Sequence, residues 1–306
     1  MTRSPSASKP RWFLLFLIIP VILVTLLANL SPMPPEETLT ESTVPETTVP
    51  ETETSDVPVP AEEPARSLIF VPQNNTLAKP EKPSPIQAAI TELQQYAIDK
   101  GLNPNYPYAL VQLYLRNPDA REFCREYPRL RNHASTADMS AYENRDGVPL
   151  FLQWDPQWGY FDYGGNLMGL AGCGPTTLAM AAYYYTGNPD MNPLSLAQFA
   201  MDNGYRYPGS GTAWSFMYDG ARQLGLHSRV LPLGKEVMIQ ALEKGELIIC
   251  IMGPGNFTTG GHFILLTGYE NGAFTVNDCN SIARSGRTWT YEELCGEIWN
   301  LWAISP

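Results

Sequence analysis

The chain has 306 residues, with 20 lysines and arginines against 31 aspartates and glutamates, a formal net charge of −11 at pH 7. Nine of the acidic residues lie within residues 32–65, and residues 67–306 carry 22 acidic against 16 basic residues. Nucleic-acid-binding proteins concentrate positive charge on one face, and this chain lacks such an excess. We therefore expect no nucleic-acid partner, and the charge suits a soluble exported domain.

Residues 12–30, WFLLFLIIPVILVTLLANL, form an almost unbroken apolar run. At ~1.5 Å per residue, a helix of this length spans roughly the ~30 Å hydrocarbon core of a membrane. Basic residues precede the run and acidic sequence follows it, so the positive-inside rule places residues 1–11 in the cytoplasm. The alternative is a cleaved signal peptide, but the run exceeds the ~7–15 residues of a usual h-region and no clean A-x-A site follows. We expect an uncleaved single-pass anchor in the cell membrane, with the rest of the chain outside the cytoplasm.

Residues 31–83 form a stalk and linker rich in proline, threonine and glutamate. Such a composition buries too little apolar surface to offset the entropy of ordering, so the segment is predicted to be disordered and extended.

Residues 84–132 have helical patterns. Ser84 is a suitable N-cap with Pro85 at the first helical position, and Gly101 is a typical stop. We interpret this segment as a packing subdomain rather than a catalytic one. The polar stretch after it is interpreted as a linker, and residues 147–306 are long enough and apolar enough for one globular core.

The chain has five cysteines, an odd number, so at least one thiol is free or pairs between chains. Two disulfides with one reactive thiol, or five free thiols, both fit an exported protein. If one bridge exists, Cys279–Cys295 is our first expectation, because both lie near the C-terminal end of the domain. No C-x-x-C pair is present and the three histidines are far apart, so we expect no metal site. The cysteines are Cys124, Cys173, Cys250, Cys279 and Cys295.

The segment LAGCGPTTLAMAAYYY, residues 170–185, places Cys173 between glycines immediately before strong helix-forming sequence. Pro175 suits the first turn of a helix, where its missing N–H has no cost. A thiol at the positive end of a helix dipole is stabilised as a thiolate. Cys173 is therefore a candidate nucleophile, and the alternative is a buried cysteine that acts as a small apolar side chain.

A nucleophilic thiol needs a base, and only His133, His227 and His262 are available. His133 lies in polar sequence, and His227 begins a short strand-like run, so we expect a solvated and a structural role for them. His262 follows the glycine-rich loop MGPGNFTTGG and opens HFILLTGY, a buried strand pattern. A strand rather than a helix follows this loop, so we do not interpret it as a phosphate site. His262 is the candidate base.

Asn271-Gly272 predicts a tight turn between two strands, so the return strand brings Asp278 near His262. Asp278 would accept the Nδ1–H bond and hold the imidazole tautomer, although it could instead simply cap a turn. Gln153, in VPLFLQWDPQWG, could join the backbone N–H of Cys173 as an oxyanion donor.

Three segments, VPLFLQWDPQWGYFDYG, GCGPTTLAMAAYYYTG and GGHFILLTGYENGAFTVNDCNS, resemble the bacterial family thirty-nine-like cysteine peptidases. These are papain-fold relatives of bacteriocin-processing peptidases that cut after double-glycine leaders, and the resemblance covers about residues 147–305. It implies that Cys173 is the nucleophile, His262 the general base, Asp278 the orienting acid and Gln153 the oxyanion donor.

The chain departs from the family pattern in two ways. Family members often have Asp-Pro after the final strand, whereas this chain has Asp278-Cys279, which leaves Asn280 as an alternative third residue. The exporter domains that accompany bacteriocin peptidases are not found in this chain, so cleavage of double-glycine leaders is not implied.

We therefore expect an α+β papain-like domain, in which a helix carrying the nucleophile packs on an antiparallel sheet. The expected function is an outward-facing, membrane-anchored cysteine peptidase that acts on a peptide or protein substrate without a cofactor or metal. The alternatives are a cell-wall amidase or acyltransferase on the same fold, and a binding module that has lost catalysis. Trp154, Trp158 and Trp214 could line a cleft, although core packing is the commoner use of such side chains.

Overall fold

The computed structural model describes residues 83–209 and 211–306. The predicted cytoplasmic tail, anchor helix and nearly all of the stalk lie outside the described residues. Of the helices in the described part, none has both the length and the apolar character needed to cross a bilayer.

The chain segment before the catalytic-type motifs is helical, as its pattern predicts. Its α-helices are α1 (Pro85–Asp99), α2 (Tyr108–Arg116) and α3 (Arg121–Leu130), with a 3-10 turn at Pro118–Ala120. The Ser84 side chain caps α1 by accepting the N–H of Gln87 at 3.3 Å. Gly101 has a φ of +66° just beyond the helix, which confirms the predicted stop.

These three helices pack on the following domain. Their buried face includes Leu93, Leu110 and Phe123, and it continues onto Trp154 and Tyr160 of the next segment. All described residues belong to one compact unit. The helical segment is therefore packed against the domain that follows it.

The stretch between the helices and the domain is irregular but attached, with one 3-10 turn at Ser140–Tyr142. Met139 is buried in the main core. The Thr136 N–H donates to the carbonyl of Gln157 at 2.8 Å.

The domain contains a six-stranded sheet with strand order β3-β8-β4-β5-β6-β7, in which all neighbouring strands are antiparallel. Two further short strands, β1 and β2, pair with each other. The strands are β1 (Arg206–Tyr207), β2 (Gly211–Thr212), β3 (His227–Val230), β4 (Leu247–Met252), β5 (His262–Glu270), β6 (Ala273–Asn277), β7 (Thr288–Trp289) and β8 (Ile298–Ser305).

The remaining helices surround this sheet. They are α4 (Met168–Ala171), α5 (Cys173–Thr186), α6 (Pro193–Asp202), α7 (Asp219–Gln223), α8 (Lys235–Glu243), α9 (Ile282–Ser285) and α10 (Tyr291–Cys295), with a 3-10 turn at Trp214–Met217.

The central strands are apolar without interruption because both faces of the sheet are covered. Along β5, Phe263 and Leu265 face the core that contains α5, whereas Ile264 and Leu266 face the core that contains α8. Successive side chains of a strand point to opposite faces, so a strand buried on both sides must be apolar throughout. Helix α5 is buried from Gly174 to Tyr183, which explains its all-round apolar sequence.

The turn between β5 and β6 forms at Asn271-Gly272, where both residues have positive φ, 54° and 86°. This is the backbone that a two-residue hairpin loop requires, so the predicted turn is confirmed. The hairpin brings the end of β6 back to the beginning of β5. The mixed architecture of helices and an antiparallel sheet agrees with the predicted α+β class.

Candidate active site

Cys173 is the first residue of α5, as predicted, and it is half-buried. The flanking glycines have a steric reason. A Cβ at Gly172 would lie 2.5 Å from Cγ of Met168, and one at Gly174 would lie 2.6 Å from the Thr212 side chain. Only glycine allows these close approaches, which place the thiol at the end of the helix where backbone N–H groups point outward.

His262 is the first residue of β5 and is 6% exposed, and Asp278, which directly follows β6, is fully buried. His262 Nε2 lies 2.8 Å from Asp278 Oδ1. The structure therefore brings together the two residues that the hairpin was predicted to join. The predicted nitrogen was wrong, since Nε2 and not Nδ1 meets the carboxylate. With Nε2 engaged by Asp278, Nδ1 is the ring nitrogen left for another partner.

Asp278 is held on every side by the segment that follows it. Its Oδ2 accepts from Arg284 Nε at 2.5 Å, and its Oδ1 also accepts the N–H of Asn280 at 2.8 Å. Its own N–H donates to Ser285 Oγ at 2.8 Å. Asn280 thus supports Asp278 through its backbone, and Asp278 is the residue that contacts His262. Arg284 and Ser285 were not predicted, since a four-residue helix such as α9 has no periodic signal.

The electrostatics of the thiol are set by opposing effects. Burial favours the neutral thiol, but the hydrogen bond and charge of His262 outweigh it, together with the N–H groups of Phe263 and Gly174. The pKa of Cys173 is therefore held below its ordinary value. This direction favours a thiolate at neutral pH.

His262 and Asp278 are shifted in the directions that complete an ion pair. Burial alone would lower the pKa of His262, but the Asp278 carboxylate and the Cys173 thiolate raise it to about 10. Burial alone would raise the pKa of Asp278, but the His262 imidazolium and the Arg284 guanidinium hold it below its ordinary value. These directions favour a thiolate, an imidazolium and a carboxylate at neutral pH.

Gln153 is buried, and its amide orientation is determined by its two contacts. Nε2 donates to the carbonyl of Gly169 at 2.9 Å, and Oε1 accepts from Cys279 Sγ at 3.4 Å. Burial raises the pKa of the Cys279 thiol well above its ordinary value, so this thiol stays protonated and donates. Nε2 carries two protons, and the bond to Gly169 uses one of them.

The predicted Cys279–Cys295 bridge is wrong, since all five cysteines are free. Cys279 lies behind the site, buried against Gln153 and the carbonyls of Cys173 and Phe263. Cys295 is the last residue of α10, and its thiol lies over the carbonyl of Glu292 in the same helix. Closeness to the C-terminus in sequence does not bring these two thiols together.

One group of potential metal ligands lies within the described residues, formed by His262, Asp278 and Cys279, whose ligand atoms lie within 4.8 Å of one another. His262 Nε2 and both Asp278 oxygens are already engaged in hydrogen bonds, and Arg284 supplies a positive charge beside the carboxylate. A cation at this position would have to displace these contacts, so the donor set fits the thiolate–imidazolium system better than a metal.

The other candidates from the sequence are exposed or serve the core. His133 and His227 are exposed. Trp158 is fully buried and Trp154 is 8% exposed, whereas Trp214 is 45% exposed. The first two are used for packing, in keeping with the commoner role of such side chains.

A cavity of about 340 Å³ opens beside the site, between α2, the loop that precedes β5, and α9. Its lining includes Arg116, Leu170, Phe257, Asn280 and Arg284. Leu170, Phe257 and Asn280 are near neighbours in sequence of Cys173, His262 and Asp278. A larger cavity of about 630 Å³ lies between the helical segment and Trp154, and none of the three active-site side chains lines it.

The fold, with an apolar helix lying on a two-faced antiparallel sheet, is that of a papain-like domain. A family model described as the Peptidase_C39 like family matches residues 145–305, just over half of the chain. The chain belongs to this family, as its motifs predicted. No curated protein matches the chain.

Three solved structures are similar to the domain. The peptidase domain of Streptococcus ComA, a bi-functional ABC transporter, is 18% identical, with 44% of this chain and 92% of that chain covered and a TM-score of 0.34. A double glycine motif protease from an AMS/PCAT transporter, in complex with the leader peptide, is 20% identical, with 53% of this chain and 96% of that chain covered and a TM-score of 0.35. A protein described as a C39-like peptidase from Bacillus anthracis is 15% identical, with 52% of this chain and 94% of that chain covered and a TM-score of 0.32.

Proposed function

We propose that this chain is a cysteine peptidase that hydrolyses peptide bonds through Cys173, His262 and Asp278, with Gln153 as an oxyanion donor. The observation that carries the proposal is the buried His262–Asp278 contact of 2.8 Å beside a thiol at the start of a helix. The membership of the C39-like peptidase family supports the same chemistry.

The proposed reaction begins with the thiolate of Cys173 attacking the substrate carbonyl carbon. The negative charge moves to the carbonyl oxygen, where Gln153 Nε2 and the Cys173 N–H stabilise it. The His262 imidazolium gives its proton to the leaving amine as the C–N bond breaks, which leaves a thioester. Neutral His262 then takes a proton from water, the hydroxide adds to the thioester, and the carboxylic acid leaves as the thiolate reforms.

Asp278 keeps its charge throughout this cycle. It orients the imidazole through Nε2, so that Nδ1 exchanges the proton with the sulfur and the leaving group. Arg284 neutralises the second carboxylate oxygen and so stabilises the buried ion.

The same proposal includes the location of the enzyme. We propose that residues 12–30 anchor the chain in the cell membrane, that residues 31–83 act as an extended stalk, and that the peptidase domain is extracytoplasmic. This part rests on the apolar run and its basic flank in the sequence.

One experiment tests the chemistry and the location together. Intact cells that express the full chain are treated with a membrane-impermeant, charged epoxysuccinyl peptide that reacts with activated thiols, and Cys173→Ala serves as the control. We expect labelling of Cys173 in intact cells, found by mass spectrometry of the labelled peptide. Labelling only after lysis would overturn the outward location and keep the peptidase proposal. Absence of labelling both before and after lysis would overturn the peptidase proposal.

Activity assays of the purified full chain distinguish the alternative acyl chemistries. Release of free carboxylate from unstructured peptides supports the peptidase, whereas turnover of cell-wall stem peptides alone supports an amidase. Transfer to an added amine supports an acyltransferase, and inactivity on all of these supports a binding module.

A further inference from the structure

We call the segment from Asp278 to Ser285 the Asp278 frame, because its hydrogen bonds hold the Asp278 carboxylate in place. Within it, the Ser281 side chain caps α9 by accepting the N–H of Arg284, and the Ser281 N–H donates to the carbonyl of Asp278. Together with the Arg284 and Ser285 contacts described above, these bonds make the position of Asp278 depend on the position of α9. A four-residue helix has little stability of its own, so something outside the frame must hold it.

The outer supports come from the helical segment, 163 residues earlier in the chain. The N–H of Ile282 donates to Asp119 Oδ2 at 3.0 Å, and the N–H of Ala283 donates to the same oxygen at 3.3 Å. N–H groups in the first turn of a helix have no acceptor within the helix, and a carboxylate is a favourable acceptor for them. Asp119 thus caps α9 from another part of the fold.

A second support lies next to the first. The Asn117 side-chain amide donates to the carbonyl of Asn280 and, at 3.3 Å, to its Oδ1. Asn117 Oδ1 in turn accepts the N–H of Asp119 at 3.1 Å, so the two supports are hydrogen-bonded to each other. Trp154, the residue after Gln153, also donates from Nε1 to the Asn280 carbonyl at 3.2 Å. Asn117 is 7% exposed, so its contacts are shielded from water.

We propose that Asn117 and Asp119 are positioning residues for the active site, and that the helical segment holds the Asp278 frame in register with His262. The proposal rests on the proposed peptidase function and extends it to a part of the chain outside residues 145–305. It also changes the interpretation of residues 84–132 from a passive packing unit to a support for the catalytic acid.

The proposed role predicts a defect in the active site rather than in folding alone. Without the Asp119 cap, α9 shifts and Asp278 leaves its best position against His262 Nε2. The imidazolium is then less stable, and the Cys173 thiolate loses part of its partner. A misplacement of about 1 Å remote from the chemistry can cost up to about 10²-fold in rate.

The test compares three variants of the full chain. In Asp119→Ala we expect kcat on a peptide substrate to fall by roughly 10- to 100-fold with KM little changed, and the pH midpoint of Cys173 alkylation to move upward. Asp119→Asn keeps an oxygen acceptor for the two N–H groups, so its kcat and its alkylation midpoint should both lie close to the wild-type values. Glu122→Ala removes a carboxylate from the same helical segment without touching α9 and should behave as wild type.

The alkylation midpoint distinguishes positioning from a loss of stability. A merely structural role for Asp119 would lower the melting temperature and leave the midpoint of the folded protein unchanged, and that result would overturn the proposal. If Asp119→Ala does not fold, Asn117→Ser tests the neighbouring support, because it removes the amide donor to the Asn280 carbonyl and should raise the same alkylation midpoint. A wild-type thiol without activation would instead contradict the proposed function, so the two failures are distinguishable.

Discussion

Replacement of Cys173 by alanine is expected to reduce peptide hydrolysis to background, a loss of roughly 10⁶-fold, and His262→Ala is expected to cost about as much. The double variant should be hardly worse than either single variant. In the proposed mechanism, Cys173 supplies the nucleophile, and His262 both stabilises the thiolate and protonates the leaving amine, so loss of either residue stops the same step. The measurement is kcat/KM on one peptide for all four proteins.

Matched controls show whether such losses are specific. His227 is an exposed histidine at the start of β3, and Cys295 is a thiol on α10 away from the site, so His227→Ala and Cys295→Ala should keep wild-type rates. Full activity in Cys173→Ala would contradict the mechanism. Losses that add in the double variant would contradict it as well, since they would mean that the two residues act in separate steps.

Gln153→Ala is expected to lower kcat by ~10²–10³-fold, equivalent to about 3–4 kcal/mol of transition-state stabilisation. The amide is held by the Gly169 carbonyl and the Cys279 thiol, so it is already oriented before the oxyanion forms. Because the proposed role of Gln153 is to stabilise the oxyanion and not the thiolate, the alkylation rate of Cys173 should change little.

Two further variants sharpen this prediction. Gln153→Glu keeps the shape but replaces the donor with an acceptor, and it should be at least as impaired as Gln153→Ala. Gln157→Ala removes an amide from the same segment that bonds the backbone of Asp138 instead, and it should be nearly neutral. A Gln153→Ala enzyme within a few-fold of wild type would exclude Gln153 from the oxyanion hole.

The parts of the site that could be predicted from the sequence are those with local signals. The start of α5 at Cys173 follows from Pro175 and the alanine-rich run, and the start of β5 at His262 follows from glycines before an apolar strand. The hairpin follows from Asn271-Gly272. Each feature depends on a few neighbouring residues, so its physical cause is visible in the sequence itself.

The parts that could not be predicted depend on tertiary contacts. Which imidazole nitrogen meets Asp278 depends on the orientation of the buried His262 ring. The Asp119 contact joins residues 163 and 164 positions apart, and no periodicity indicates it. The position of β8 between β3 and β4, one strand in from an edge of the sheet, is also not specified by local patterns.

The pH dependence of Cys173 alkylation by iodoacetamide shows whether Cys173 and His262 form a thiolate–imidazolium pair. The pKa of Cys173 is held low and that of His262 is raised to about 10, so the thiolate should form as pH rises through the low Cys173 pKa and persist through neutral pH. We predict a midpoint well below the ~8.5 of an ordinary cysteine in the wild-type chain. In His262→Ala, burial still disfavours the thiolate and no imidazolium stabilises it, so the midpoint should move above ~8.5. A wild-type midpoint near ~8.5, or one that His262→Ala leaves unchanged, would contradict the ion pair.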